Sequence, residues 1–154
     1  MKKLVVLYSM TFLIYACGGQ GGSQASSETA SNESTEVNDG KGIGEIKSVT
    51  LNNPLDEEMI KRGKSISEMK CLACHKLSDQ RVVGPGWQGI TDKRKPEWIM
   101  NMITNVDVML AEDPVARELL KQCLTRMPNQ NLSIGDARDV LEFMYANDQA
   151  TASE

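Results

Sequence analysis

The chain has little of what most catalytic sites and most membrane spans are built from. Among 154 residues there is one histidine, His75, so no pair of histidines can act together in one copy. Aromatic residues are only 5% and the net charge is −4, which leaves no basic, aromatic-rich face for nucleic acid. No apolar run is long enough to cross a bilayer, which needs about 20 residues. The run Leu4 to Ala16 is shorter than that, broken by Ser9 and Thr11, and preceded by Lys2 and Lys3. This is the pattern of a signal-peptide apolar region. No stretch alternates convincingly enough to be a strand, and there is no internal repeat. The chain is instead rich in sulfur, with four cysteines (Cys17, Cys71, Cys74, Cys123) and nine methionines.

Leu13-Ile14-Tyr15-Ala16-Cys17-Gly18 resembles a bacterial lipoprotein cleavage box. That resemblance implies a signal peptide over 1–16, cleavage before Cys17 and lipidation of Cys17. Several acyl chains, each worth about 0.8 kcal/mol per buried methylene, give stable anchoring. Residues 17–53 are poor in apolar side chains and rich in Gly, Ser, Asn and Glu. They read as a flexible tether, spanning roughly 30–36 Å as a random coil.

A folded domain is expected over 54–148, with a polar tail at 149–154. Asn53 and Pro54 read as the N-cap and first residue of a helix to about 70. Residues 71–92 carry Gly84, Pro85, Gly86 and Gly89 and read as loop. Pro96 opens a second helix, with Trp98, Ile99, Met102, Ile103 and Val106 at helical spacing. Asp113-Pro114 breaks it and starts a third, to about Cys123. Ser133 and Asp136 form a capping box for a last helix over 134–147. The expected fold is all-α, with about four helices.

Cys71-Leu72-Ala73-Cys74-His75 is the decisive motif. C-x-x-C-H is the attachment sequence of c-type haem. Two thiols add across the haem vinyl groups, and the following imidazole ligates the iron. The competing readings are a redox dithiol, which expects a βαβ context, and structural zinc held by Cys71, Cys74, His75 and Cys123. The long gap to Cys123 and the adjoining Cys74-His75 pair suit zinc poorly. The iron's other axial ligand cannot be a second histidine of this chain, and methionine is the usual alternative. Met127 stands on a loop beside Pro128. Met100, Met102, Met109 and Met144 fall inside expected helices, where core packing is their ordinary role. Met59 and Met69 precede the motif. Cys123 is read as a small buried residue of the third helix. Trp87, Trp98 and Arg81 are candidates to meet haem propionates. Lys70, Lys76, Lys93, Arg94 and Lys95 are candidates for a basic patch facing an acidic partner.

Across about 54–148 the chain resembles the small monohaem c-type cytochromes with histidine and methionine ligands. The likeness rests on Gly63, the Cys71–His75 motif, Gly84-Pro85, Met127-Pro128 and Phe143, in that order. It implies one covalent haem c wrapped by the helices, with His75 and Met127 on the iron. It gives Pro85 a role, its carbonyl accepting the Nδ1–H of His75. It places Phe143 against Gly63 where the first and last helices cross. The segment 81–131 is also similar to lipoprotein cytochromes found beside copper-containing nitrous oxide reductases. The implied activity is one-electron transfer by a carrier and not an enzyme alone, between redox protein partners, with no small-molecule substrate. The implied location is the periplasm, anchored to the cell or outer membrane. A haem-based gas sensor or peroxidase-like protein is the alternative. It requires Met127 to leave the iron easily.

Overall fold

The structure, a computed structural model, describes residues 39–123 and 125–153, all within one compact unit. The expected signal segment, Cys17 and the first part of the tether lie outside the described residues. Six helices are present among those described: α1 (Glu57–Lys70), α2 (Ile90–Lys93), α3 (Pro96–Thr104), α4 (Val106–Glu112), α5 (Pro114–Lys121) and α6 (Ile134–Ala152). No strand occurs among them. The all-α expectation therefore stands, with two more helices than the sequence pattern indicated.

Local chemistry explains each boundary. Helix α1 starts later than expected, because Asp56 and not Asn53 is its cap. The Asp56 carboxylate accepts the Met59 N–H at 2.8 Å, and the Asp56 N–H is itself held by Glu142 at 2.8 Å. The helix expected to run on from Pro96 breaks at Asn105, whose backbone (φ −138°, ψ 46°) is not helical, and this separates α3 from α4. Asp113 caps α5 through the Ala116 N–H at 2.7 Å, with Pro114 in the first turn. The Ser133–Asp136 capping box starts α6 as expected. That helix continues to Ala152, through much of the expected tail. The single-turn α2 was not legible in the sequence. Asp148 of α6 holds its start, accepting from Gly89 N at 2.8 Å, Thr91 N at 3.0 Å and the Thr91 hydroxyl at 2.7 Å.

The described part of the tether, 39–53, is not free chain but a strap packed on α3, α4 and α6. Asn101, 1% exposed, reads its backbone. The side-chain amide donates to Lys41 O and Ile46 O at 3.0 Å each and accepts from Ile46 N at 3.1 Å. Glu97 accepts from Val49 N at 3.2 Å, and Arg138 donates to Thr50 O at 3.0 Å. Composition indicated a linker because these backbone groups are satisfied by distant side chains, and not by a local helix or strand. The folded domain therefore begins before Pro54.

Helices α1 and α6 cross at Gly63. A Cβ there would collide with the Asp139 carbonyl and lie 3.0 Å from the Phe143 Cβ. Beside the crossing, Arg62 forks the Asp139 carboxylate at 2.6 and 2.9 Å. Gly63→Ala should destabilise the folded protein by about 1–3 kcal/mol, the cost of overpacking against backbone. In an open helix the same change stabilises by up to about 1 kcal/mol. The sign of the change in a denaturant midpoint therefore decides whether the crossing is as tight as the structure has it.

Candidate functional site

The site is built outward from the end of α1. Cys71 is the helix C-cap, its N–H bonded to Ser67 O at 2.8 Å. Cys74 N and His75 N both return to Cys71 O at 3.0 Å, so the motif closes as a tight turn. Gly84 N then binds Cys74 O at 2.9 Å and Trp87 N binds Lys76 O at 2.8 Å. These bonds fold the 81–89 loop back over His75. The His75 Nδ1 lies 2.8 Å from the Pro85 carbonyl, which accepts its proton. With Nδ1 as the donor, Nε2 keeps the lone pair that a metal requires. Burial holds the imidazole pKa below 6.5, and the Pro85 bond opposes that more weakly, so the ring is neutral near pH 7. Burial raises the Cys71 thiol pKa, and the charge on Lys70 offsets this in part.

Gly84 presses on the other side of the ring. A Cβ there would stand 2.7 Å from His75 Nδ1 and 2.9 Å from Nε2. Trp87 closes in with its ring centroid 5.6 Å away and tilted by 35°. The imidazole is thus fixed by a carbonyl, a glycine and an indole.

Cys71, Cys74, His75, Pro85 and Met127 all line one cavity, which encloses roughly 1140 Å3 including its open mouth. Its wall is mostly apolar. Ile99, Met102 and Ile103 come from α3, Leu119 and Leu120 from α5, and Met144 from α6. Met127 enters from the segment between α5 and α6, and is half-buried. Two thiols, a neutral imidazole with a free nitrogen and a thioether in a large apolar cavity fit a haem. They do not fit zinc. Among the described residues no three His, Cys, Asp or Glu side chains gather to hold an ion. Cys71, Cys74 and Cys123 are all free thiols.

Several expected roles change. Trp98 lines the cavity, but its indole N–H is donated to Asp113 at 3.1 Å, leaving it no proton for a propionate. Arg81 turns to Gln122 O at 3.2 Å and Cys123 Sγ at 3.5 Å. Cys123 follows α5 and does not lie within it. It is half-buried and lines the cavity, so it is not a closed core residue. Of the proposed basic patch only Lys70 borders the cavity, while Lys95 donates to Asp39 O of the strap at 2.5 Å. Met102 and Met144, read as core, line the cavity as well. The helical spacing of Ile99, Met102 and Ile103 marked a buried face. It carried no sign that the face surrounds a space and not another helix.

The comparisons with known proteins agree with this geometry. The family model for cytochrome c matches residues 60–147. A solved cytochrome c from Rhodothermus marinus is 32% identical, with a TM-score of 0.67, over 70% of this chain and 91% of that one. An engineered form of that Rhodothermus marinus protein is 31% identical, with a TM-score of 0.66, over 69% of this chain and 91% of its own. Another engineered form, solved with a bound carbene intermediate, is 30% identical, with a TM-score of 0.63 and the same coverage. The search of curated proteins returned no match. A family match over more than half the chain, with solved relatives of the same helical fold, makes this chain a member of the cytochrome c family, a small c-type cytochrome that binds one covalent haem c and serves haem-based electron transfer.

Proposed function

We propose that the protein is a lipid-anchored carrier that passes single electrons between membrane and periplasmic redox proteins. The observation that carries this reading is the meeting of Cys71, Cys74, His75 and Met127 at one apolar cavity. Cys71 and Cys74 would hold the haem through thioether bonds, and His75 Nε2 and Met127 Sδ would be the ligands of its iron. The Pro85 carbonyl holds the imidazole in the required tautomer. The haem supplies a one-electron Fe(III)/Fe(II) couple. The chain's own part is to offer a nitrogen and a sulfur donor to the iron, exclude water with α3, α5 and α6, and hold those side chains still, so that little reorganises when the charge changes.

The anchor is Cys17, exposed by cleavage after Ala16, and the tether is the segment between Cys17 and the strap. Support for both comes from the sequence around Leu13–Gly18. No described helix is long and apolar enough to cross a membrane. The acceptor is a terminal reductase, and a copper-containing nitrous oxide reductase is the candidate. Its support is the similarity of segment 81–131 to cytochromes found beside such enzymes. A gas sensor or peroxidase would need an open iron position and a nearby acid or base. Among the described residues, the only histidine lining the cavity is His75 itself.

Two experiments test this reading. Met127→Ala should abolish the near-infrared charge-transfer band of iron–thioether ligation. It should also lower the reduction potential and let the reduced protein bind carbon monoxide, which the wild type resists. The haem should stay with the polypeptide through acid–acetone extraction. Persistence of the band in Met127→Ala, or its loss on changing Met102, would move the ligand elsewhere. Separately, Cys17→Ser should shift the protein from the membrane to the soluble fraction or block its maturation. An unchanged membrane-bound product would place the anchor at another residue.

A further inference from the structure

The strap over 39–53 lies before residue 60, where the match to the cytochrome c family model begins. It has no helix or strand of its own. Side chains of α3, α4 and α6 hold it instead, and the fit is close. At Gly42 (φ +74°) a Cβ would stand 2.7 Å from Met109 Cε and 3.1 Å from Trp98 Cδ1. At Gly44 it would overlap the Asn101 side chain. Met109 is fully buried here, and its sulfur accepts the Ile43 N–H at 3.0 Å. Ile46, 9% exposed, adds to the apolar underside of the strap.

Beneath the strap lies a wall of the cavity, lined by Trp98 of α3 and Leu110 of α4. The Trp98 indole is held from three directions. Its N–H is donated to Asp113 at 3.1 Å, and the Arg94 guanidinium carbon stands 5.3 Å from its ring centre. Gly42 of the strap closes on its Cδ1 edge. At Trp98 the wall is therefore one side chain deep, since the same indole meets both the cavity and the strap. Asn101 follows Trp98 by three residues in α3, and so shares its side of the helix. It does not line the cavity. Its side-chain amide is spent on the strap, at Lys41 O, Ile46 O and Ile46 N.

We propose that the strap is the outer layer of the haem cavity: docked by Asn101, it fixes Trp98, keeps water from the wall built by α3 and α4, and so holds the reduction potential of the haem up. This rests on the haem reading above. Asn101 is a positioning residue that acts through Gly42 and Trp98. Burial is one of the means by which a protein sets the potential of a haem. Water behind Trp98 and Met109 would raise the local dielectric and stabilise the more charged, oxidised iron. With the strap docked, Gly42, Ile43 and Ile46 occupy that ground.

The two ends of the strap have holders of their own. Lys95 donates to Asp39 O at 2.5 Å, Arg138 donates to Thr50 O at 3.0 Å, and the Asn52 amide donates to Glu142 at 3.0 Å. Loss of the Asn101 bonds therefore frees the middle of the strap, over Trp98, while its ends stay tied. The crossing of α1 and α6 at Gly63 and the Cys71–His75 turn use none of these bonds. A change at Asn101 thus acts on the strap and leaves the groups that would grip the haem in place.

The test pairs amide hydrogen exchange with the reduction potential of the haem-loaded protein. In Asn101→Leu the Ile43 and Ile46 N–H groups should exchange at least about tenfold faster than in the wild type, because the bonds of the Asn101 amide are lost. The reduction potential should fall, while the near-infrared iron–thioether band stays. Gly42→Ala crowds Met109 and Trp98 from the strap side. It should act in the same direction, and it carries the test if Asn101→Leu does not fold. Glu45→Ala, at an exposed position of the same strap, should change neither reading. Faster exchange at an unchanged potential overturns the proposal, because the strap would then add stability alone. Exchange that stays slow in Asn101→Leu overturns Asn101 as the docking residue. Loss of the band together with the potential places the effect at the iron's ligand and overturns the proposal as well. A pyridine haemochrome spectrum of the wild type separates the two readings. Without covalent haem both fall, whereas covalent haem with an unchanged potential in the variants sinks only the role of the strap.

Discussion

The rest of the structure hangs on the close crossing of α1 and α6 at Gly63. With no Cβ at that position, one helix lies against the backbone of the other, at Asp139. Each helix then delivers something to the cavity from its far end. Helix α1 ends in the Cys71–His75 turn, aimed at the space beside α6. Helix α6 begins just after the segment that carries Met127, and the Ser133–Asp136 box fixes that start. Near its other end Asp148 holds α2, and with it one wall of the cavity. A crossing wider by one methyl group would move all three at once, because packed interiors transmit strain instead of absorbing it.

The electrostatics of the site follow from the same packing. The cavity wall is mostly apolar, and His75 is held neutral by burial. Such a site has little fixed charge of its own, so any charge placed in it is felt strongly. A haem iron buried in so apolar a wall would favour its less charged, reduced form for that reason. The Pro85 carbonyl acts in the opposite sense on the imidazole, drawing on its Nδ1–H and making Nε2 a better donor. The balance between these two effects sets the poise of an electron carrier of this kind.

The strap adds a constraint that composition concealed. Asn101 holds its backbone by three hydrogen bonds, and Gly42 lies close enough to Met109 and Trp98 that a Cβ there would crowd both. Trp98 faces the cavity on its other side. The strap therefore backs the cavity wall before the first helix begins.

The covalent chemistry was legible in the sequence, because it depends on neighbours along the chain. Cys71, Cys74 and His75 must be adjacent to grip one porphyrin edge and its iron, and that spacing survives any packing. The capping box, the Asp113-Pro114 break and the all-α class were legible for the same reason, since each is a short-range hydrogen-bond or steric rule. What the sequence left open depends on residues far apart. Nothing near Asn53 showed that Glu142 would hold Asp56 and move the start of α1. Nothing near Thr91 showed that Asp148 would build a helix there. Trp98 could not be separated from Trp87 as a donor until Asp113 was seen to take its proton. Composition marked 39–53 as a linker, because its partners, Asn101, Glu97 and Arg138, lie on helices much later in the chain. Local rules determined which atoms the chain offers to a haem. Only the tertiary structure decided which side chains face it, because that depends on which distant donors and acceptors are already satisfied by one another.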